Sequence, residues 1–295
     1  MKVKNLFYYG FLSICLSPVF YSCNSEEMIS QNVTPKEEKA FLDLQNHLKR
    51  IGDEYHQKYN TTETRSFKWW SKFLRDCSIF FADASSFLSN GSLSAAAEAS
   101  GKVKAALTPE EHLSSSIHKT YLEDKELTLK KIINPNSLSQ LEKNSPGFIH
   151  NEILLNTYKN NLDSITTLSP EEFYNKIFEE GIRVTGEKIT DEQRLKFKEE
   201  SDKLAELAKT SLDFESFVEA TKKIKNDPRL NLELDILGTV IQGEPLKDPY
   251  TGEENKTIRL IKDSKISKDS KRKILDGISV LKGSKELWVT SPLNQ

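Results

Sequence analysis

The strongest constraint on what this chain can fold into is a recurring helix-start signature. Thr34-Pro35-Lys36-Glu37, Thr108-Pro109-Glu110-Glu111, Ser145-Pro146 and Ser169-Pro170-Glu171-Glu172 each set a hydroxyl before a proline, and three of the four continue with acids. A hydroxyl there accepts a hydrogen bond from an otherwise unpaired first-turn N–H. Proline at the next position has no N–H to leave unpaired, and an acid favours the positive end of the helix dipole. Thr190, Asp213 and Ser267 offer the same cap without the proline.

Beyond each cap the apolar residues recur with helical period. After Pro35, the residues Phe41, Leu44, Leu48, Ile51 and Tyr55 come at steps of three and four, which predicts a helix from Pro35 to about Tyr59. Ser66 to Leu88 carries a wider stripe of Trp69, Trp70, Phe73, Leu74, Cys77, Phe80, Phe81, Ala84, Phe87 and Leu88. Further helices are expected from Pro109 to about Ile133, from Ser145 through Tyr158, from Pro170 to a stop at Gly181, from Asp191 to about Lys209, and from Asp213 to about Lys225. Leu230, Leu232, Leu234 and Ile236 alternate as a strand would, but Leu230, Leu234, Leu237 and Ile241 also suit a helix, and no strand partner is offered elsewhere. The last helix is expected from Lys268 to about Trp288, with Ile274, Ile278, Leu281 and Trp288 on one buried stripe. Asn90–Gly101 reads as a loop or weak helix, and Gln242–Asn255, with two glycines and two prolines, as the clearest loop. The expected class is therefore all-α, an irregular multi-helix bundle of about eight or nine helices, with an N-terminal helical region at 34–133 and a C-terminal one at 134–295.

The first residues give an address. Lys2 and Lys4 precede an uncharged apolar run from Leu6 to Leu16, too short to span a bilayer as a mature helix and typical of a cleaved export signal over residues 1–22. Ser22-Cys23 resembles the lipobox of bacterial lipoproteins, although Phe20 and Tyr21 replace the usual smaller residues, and it implies that Cys23 becomes a lipid-bearing N-terminus. Residues 23–33 then form a flexible polar tether. The acidic Asn24-Ser25-Glu26-Glu27 resembles the surface-export signal of Bacteroidota lipoproteins. The expected place is the cell envelope, an outer-membrane lipoprotein attached by its acyl chains, with a protein or glycan as partner.

Composition narrows the chemistry. Losing residues 1–22 removes Lys2 and Lys4 and no acid, taking the net charge from −2 to −4, so no global field recruits nucleic acid. Of the three cysteines, one leaves with the signal and one is the lipid site, so Cys77 stands alone and no internal disulfide is expected. No glycine-rich phosphate loop, no Gly-x-Ser-x-Gly elbow and no metal-ligand spacing occurs: His112 and His118 point to different helix faces, and His47 and His56 have no zinc-type pattern around them. Neither cofactor nor metal is expected. His150, beside Asn151 near a helix start, is the most interesting titratable residue, with proton relay weighed against capping or packing. Ser164, in Asp163-Ser164-Ile165, fits a short pattern associated with O-glycosylation in Bacteroidota envelopes.

Two short patterns carry a family resemblance: Gly147-x-x-His150-Asn151-x-x-Leu154, and Ile274-Leu275-x-x-Ile278-Ser279-Val280-x-x-x-Ser284-x-x-x-Trp288. In this order behind a lipoprotein signal they resemble a group of uncharacterised secreted proteins of Bacteroidota, with which Ala82-Asp83-Ala84 also shares an aromatic and alanine-rich setting. The chain departs from that pattern at Ser145-Pro146 and at Leu287. The group implies no activity. The expected function is a non-enzymatic helical interaction module. A membrane-active protein using the Trp69–Leu88 helix is the alternative, and an envelope hydrolase a third.

Overall fold

The computed structural model describes residues 33–59, 67–107, 133–165, 167–243 and 253–288. These contain ten α-helices and no strand, so the protein is all-α. They are α1 (Pro35–Tyr59), α2 (Phe67–Asn90), α3 (Leu93–Leu107), α4 (Pro146–Asn160), α5 (Pro170–Thr185), α6 (Asp191–Thr210), α7 (Phe214–Lys225), α8 (Pro228–Gly243), α9 (Glu253–Asp263) and α10 (Lys268–Trp288), with a short 3-10 turn at Ser137–Gln140. The signal, residues 23–32 of the tether and residues 109–132 of the helix expected to about Ile133 lie outside the described residues, as do Cys23, His112 and His118.

The caps act as their chemistry requires. Ser169 and Glu172 close a capping box on α5, Thr190 and Gln193 another on α6, and Ser145 Oγ accepts the Phe148 N–H at the head of α4. Asp213 Oδ1 accepts the Ser216 N–H at 2.7 Å, and Ser267 Oγ the Ser270 N–H at 3.0 Å. The α1, α6, α7, α8 and α10 boundaries agree with the sequence pattern to within two residues.

Three local expectations are corrected. Of the two readings of Asn90–Gly101, loop or weak helix, the loop is overturned and the helix holds. Most of it belongs to α3, whose residues Leu93–Val103 are all buried, with α2, α4, α5 and α6 packed around it. A run of alanine, serine and glycine shows no hydrophobic stripe, yet alanine is the best helix former and small side chains let neighbouring helices approach closely. The missed start signal is Ser92, whose Oγ accepts the Ala95 N–H, while the Glu187 carboxylate accepts the Leu93 N–H at 2.8 Å. Gly181 does not end α5: a Cβ there would lie 2.5 Å from Ser94 Oγ, so the glycine permits a helix crossing, and the helix stops at Gly186, held at φ +70°. The expected loop also ends early, because α9 begins at Glu253.

Hydrophobic side chains from Phe41 in α1 to Trp288 in α10 form one core, so both the N-terminal and the C-terminal helices contribute to it. Phe81 meets Phe214 and Phe217 edge to face at 5.6 and 6.0 Å, and Tyr158 meets Phe173 and Trp288 at 5.0 and 6.4 Å. Of the aromatic stripe in α2, Cys77, Phe80, Phe81, Ala84 and Leu88 are buried. The side chains of Trp69, Trp70 and Phe73 lie outside the described ones. α1 runs parallel to α8: Glu37 pairs with Arg229 at 2.9 Å, Gln45 bonds Thr239 at 3.2 Å, and Gly52 abuts Gly243.

Candidate functional site

The three segments singled out by the sequence meet in one place. Asp83 of α2, Ser100 of α3, His150 and Asn151 of α4, and Ser284 and Trp288 of α10 converge in the interior, where all but Trp288, at 2%, have no solvent exposure. Trp288 Nε1–H donates to Ser100 Oγ at 2.9 Å, and Ser100 Oγ–H donates to Asp83 Oδ2 at 2.8 Å. His150 Nε2 lies 3.5 Å from the same carboxylate oxygen. Asn151 reaches across to α10, its Nδ2 donating to the Gly283 carbonyl at 2.8 Å.

That last bond assigns the histidine tautomer. With its NH2 turned to Gly283, Asn151 presents its carbonyl to His150 Nδ1 at 3.0 Å. Nδ1 must therefore carry the proton, which leaves Nε2 as an acceptor aimed at Asp83. Burial pushes the Asp83 carboxyl well above its ordinary range, against the opposing influence of Ser284 and Ser100. Burial lowers the His150 imidazole to about 4, against Asn151. One cause thus favours the uncharged form of both groups, an acid that holds its proton more tightly beside an imidazole whose Nε2 has no hydrogen-bond partner among the described residues. Asp83 Oδ1 and Ser284 Oγ face each other without full hydrogen-bond geometry, and both stay unpartnered among the described residues.

The backbone crossing that builds this site depends on glycine. A Cβ on Gly147 would overlap the Ser279 carbonyl oxygen, and one on Gly283 would lie 2.5 Å from the Gly147 carbonyl oxygen. The two helices touch main chain to main chain, and Ser279 Oγ accepts the Gly147 N–H at 3.1 Å. Asn134 closes the end of α10, its backbone N–H donating to Leu287 O at 2.9 Å and its side chain to Glu286 O at 3.0 Å.

This arrangement differs from a nucleophilic triad. The serine nearest the pair, Ser100, donates to the acid and not to the imidazole, so nothing deprotonates it. Asp83, Ser100, His150, Asn151 and Ser284 are all closed off from solvent.

A second polar cluster links α3, α5 and α6. Glu98, almost fully buried, pairs with Arg194 and, at 2.9 Å, with Lys102, which itself meets Asp202 at 2.6 Å. Arg194 also donates to Asn175 Oδ1 at 2.7 Å and lies over the Phe178 ring at 3.8 Å. Charges balance here and each is partnered, as a structural clamp requires. Cys77 is fully enclosed, and burial, helped by Asp76, pushes its thiol far above the ordinary range. Ser164 sits half-buried in the turn after α4, donating to Asn161 O at 3.3 Å. His47 is exposed on α1.

Sequence reasoning singled out His150 and Asn151 as candidates, named Asp83 and Ser284 only as positions of the resemblance, and missed Ser100 and the Glu98 cluster. The available signal was a carboxylate inside an apolar face: Asp83 falls between buried Phe80 and Ala84, and Glu98 among alanines and serines. Among the described residues no group of three or more histidines, cysteines, aspartates or glutamates is arranged to hold a metal, and no helix is long and apolar enough to cross a membrane. A comparison with family models, curated proteins and solved structures found no match to this chain.

Proposed function

We propose that this protein is a cell-envelope lipoprotein that presents a helical interaction module to a protein or glycan partner and does no chemistry of its own. The observation that supports this is the use made of its polar residues. Asp83, Ser100, His150 and Asn151, the groups best suited to acid–base work, are enclosed and tie α2, α3, α4 and α10 together. A catalytic group must meet its substrate, and these meet only neighbours in the interior. Solvent meets a surface of charged helix faces, which is material for recognition.

The anchor belongs to the same reading: Cys23, directly after an apolar export segment, carries the lipid, and the tether lifts the helical domain from the membrane. The resemblance to secreted proteins of Bacteroidota supports an outer-membrane position facing outward. The membrane-active alternative draws no support from Cys77, Phe80, Phe81, Ala84 and Leu88, which pack inside.

Two measurements test the proposal. Metabolic labelling with a fatty-acid analogue should mark wild type and spare Cys23→Ala; equal labelling of both removes the anchor. Photo-crosslinkers at the exposed positions Leu195 and Leu212 of the full chain, in intact cells, should give a discrete adduct that survives His150→Gln. Turnover of an envelope polymer that His150→Gln abolishes, in a protein that still melts like wild type, would replace the module with an enzyme.

A further inference from the structure

Six arginines have described side chains, and four of them are held by an acid: Arg183 by Glu180, Arg194 by Glu98, Arg229 by Glu37 and Arg272 by Asp269. Arg50 and Arg259 have no acidic partner among the described residues, and these two line the same cleft. It lies between α1 and α9, open to solvent, with a volume of about 390 Å³. Each helix contributes one stripe at steps of three, one and three residues: His47, Arg50, Ile51 and Glu54 from α1, and Lys256, Arg259, Leu260 and Asp263 from α9. The arginines occupy the middle of their stripes beside a half-buried apolar floor of Ile51 and Leu260. Glu54 and Asp263 stand at the stripe ends and form no ion pair with either arginine.

We propose that this cleft is a binding site for a small molecule bearing an oxyanion group, a carboxylate or a phosphate, on a partly apolar body. Two like charges brought to one concavity repel each other while it is empty, and an anion between them removes that repulsion. The guanidinium fork matches the paired oxygens of carboxylate and phosphate, and it is less strongly hydrated than an ammonium. Ile51 and Leu260 offer the ligand body an apolar contact, which distinguishes a fitted site from general attraction to a basic surface. The site is separate from the buried Asp83–His150 network and independent of the proposed anchor, so either can fail without the other.

The test is titration of the full chain in non-ionic detergent at low ionic strength, read by calorimetry and by the arginine side-chain N–H resonances. Citrate and pyrophosphate are the soluble probes, and micelles doped with an anionic phospholipid the headgroup probe. Binding with a Kd of about 1 mM or tighter is expected, weakened about tenfold by Arg50→Gln and again by Arg259→Gln, and unaffected by Arg272→Gln. Both substitutions are at exposed positions, so melting of the ligand-free variants should match wild type within about a degree. A response to citrate or pyrophosphate assigns the site to a soluble anion, and an arginine-dependent response to doped micelles alone assigns the same chemistry to a lipid headgroup. Overturning results are binding equal in Arg50→Gln and wild type, or no arginine-dependent response in either arm.

Discussion

Asp83→Asn should gain stability over wild type as pH rises, because the buried pair holds one proton that the unfolded chain gives up. In the unfolded chain Asp83 titrates near 3.8 and His150 near 6.5; in the folded state burial raises the first well above that and lowers the second to about 4. Taken singly, the raised Asp83 contributes stability that is complete below 3.8 and is lost as pH rises through its folded value. The lowered His150 contributes stability that is present above 6.5 and lost as pH falls toward about 4. Between about 4 and 6.5 the two opposite slopes cancel in wild type, since folded and unfolded chains each carry one proton on the pair. Above 6.5 only the folded pair keeps its proton, and stability falls by about 1.4 kcal/mol per pH unit.

Asparagine removes the titrating acid but puts a single atom where Asp83 Oδ2 meets both Ser100 and His150, so it keeps either the acceptor for Ser100 or a donor toward His150. The variant is then expected about 1–3 kcal/mol below wild type at pH 5. It should gain about 1.4 kcal/mol on wild type for each further pH unit while the folded carboxyl holds its proton. Urea unfolding of both proteins at pH 5, 6.5 and 8 measures the gap, and every titration away from the pair cancels between them. Two results refute the reasoning. A gap that does not change with pH means the pair holds no extra proton. A variant several kcal/mol worse than wild type at every pH means that Asp83 and His150 are a charged ion pair, broken by the substitution.

Gly147→Ala should drive α4 off α10, because its Cβ overlaps the Ser279 carbonyl; a loss of about 1–3 kcal/mol is expected in thermal melting, and a melt like wild type would mean that this crossing is loose. Trp288→Ala should cost about 3–5 kcal/mol by chemical denaturation, with Trp288→Phe keeping the ring contact and losing chiefly the bond to Ser100; equal losses would assign the whole effect to that bond. Glu98→Gln leaves Arg194 and Lys102 without their shared buried acid, so unfolding should be easier by about 3 kcal/mol and little changed by salt, whereas a neutral result would show the cluster to be hydrated. Cys77, enclosed and with a raised thiol pKa, should react with a disulfide reagent only as fast as the protein unfolds, and rapid modification of the native protein would contradict its burial.

Chain composition and local pattern determined which segments are helical wherever an apolar stripe came after a cap, as in α1, α6, α7 and α10. Those signals are local: a cap satisfies N–H groups in its own first turn, and a period of three and four residues describes one face of one helix. The same locality explains the corrections. α3 has no stripe because alanine, serine and glycine are buried on every side, and that reads as a loop until α2, α5 and α6 close round it. Gly181 looks like a stop because glycine disfavours helix, and only its contact with Ser94 shows why it sits inside one.

His150 and Asn151 were visible as residues, but not their use. Their partners lie 67 positions away at Asp83 and 132 at Gly283, and no periodicity in the sequence reports a separation of that kind. Helical class and most helix boundaries could be read from the chain alone, since each rests on residues within a few turns of one another. Tertiary packing decided which polar side chains lost their water. That alone sets the proton on Asp83, the tautomer of His150 and, among the described residues, the lack of an acidic partner for Arg50 and Arg259, because desolvation and charge pairing depend on which helices meet in space.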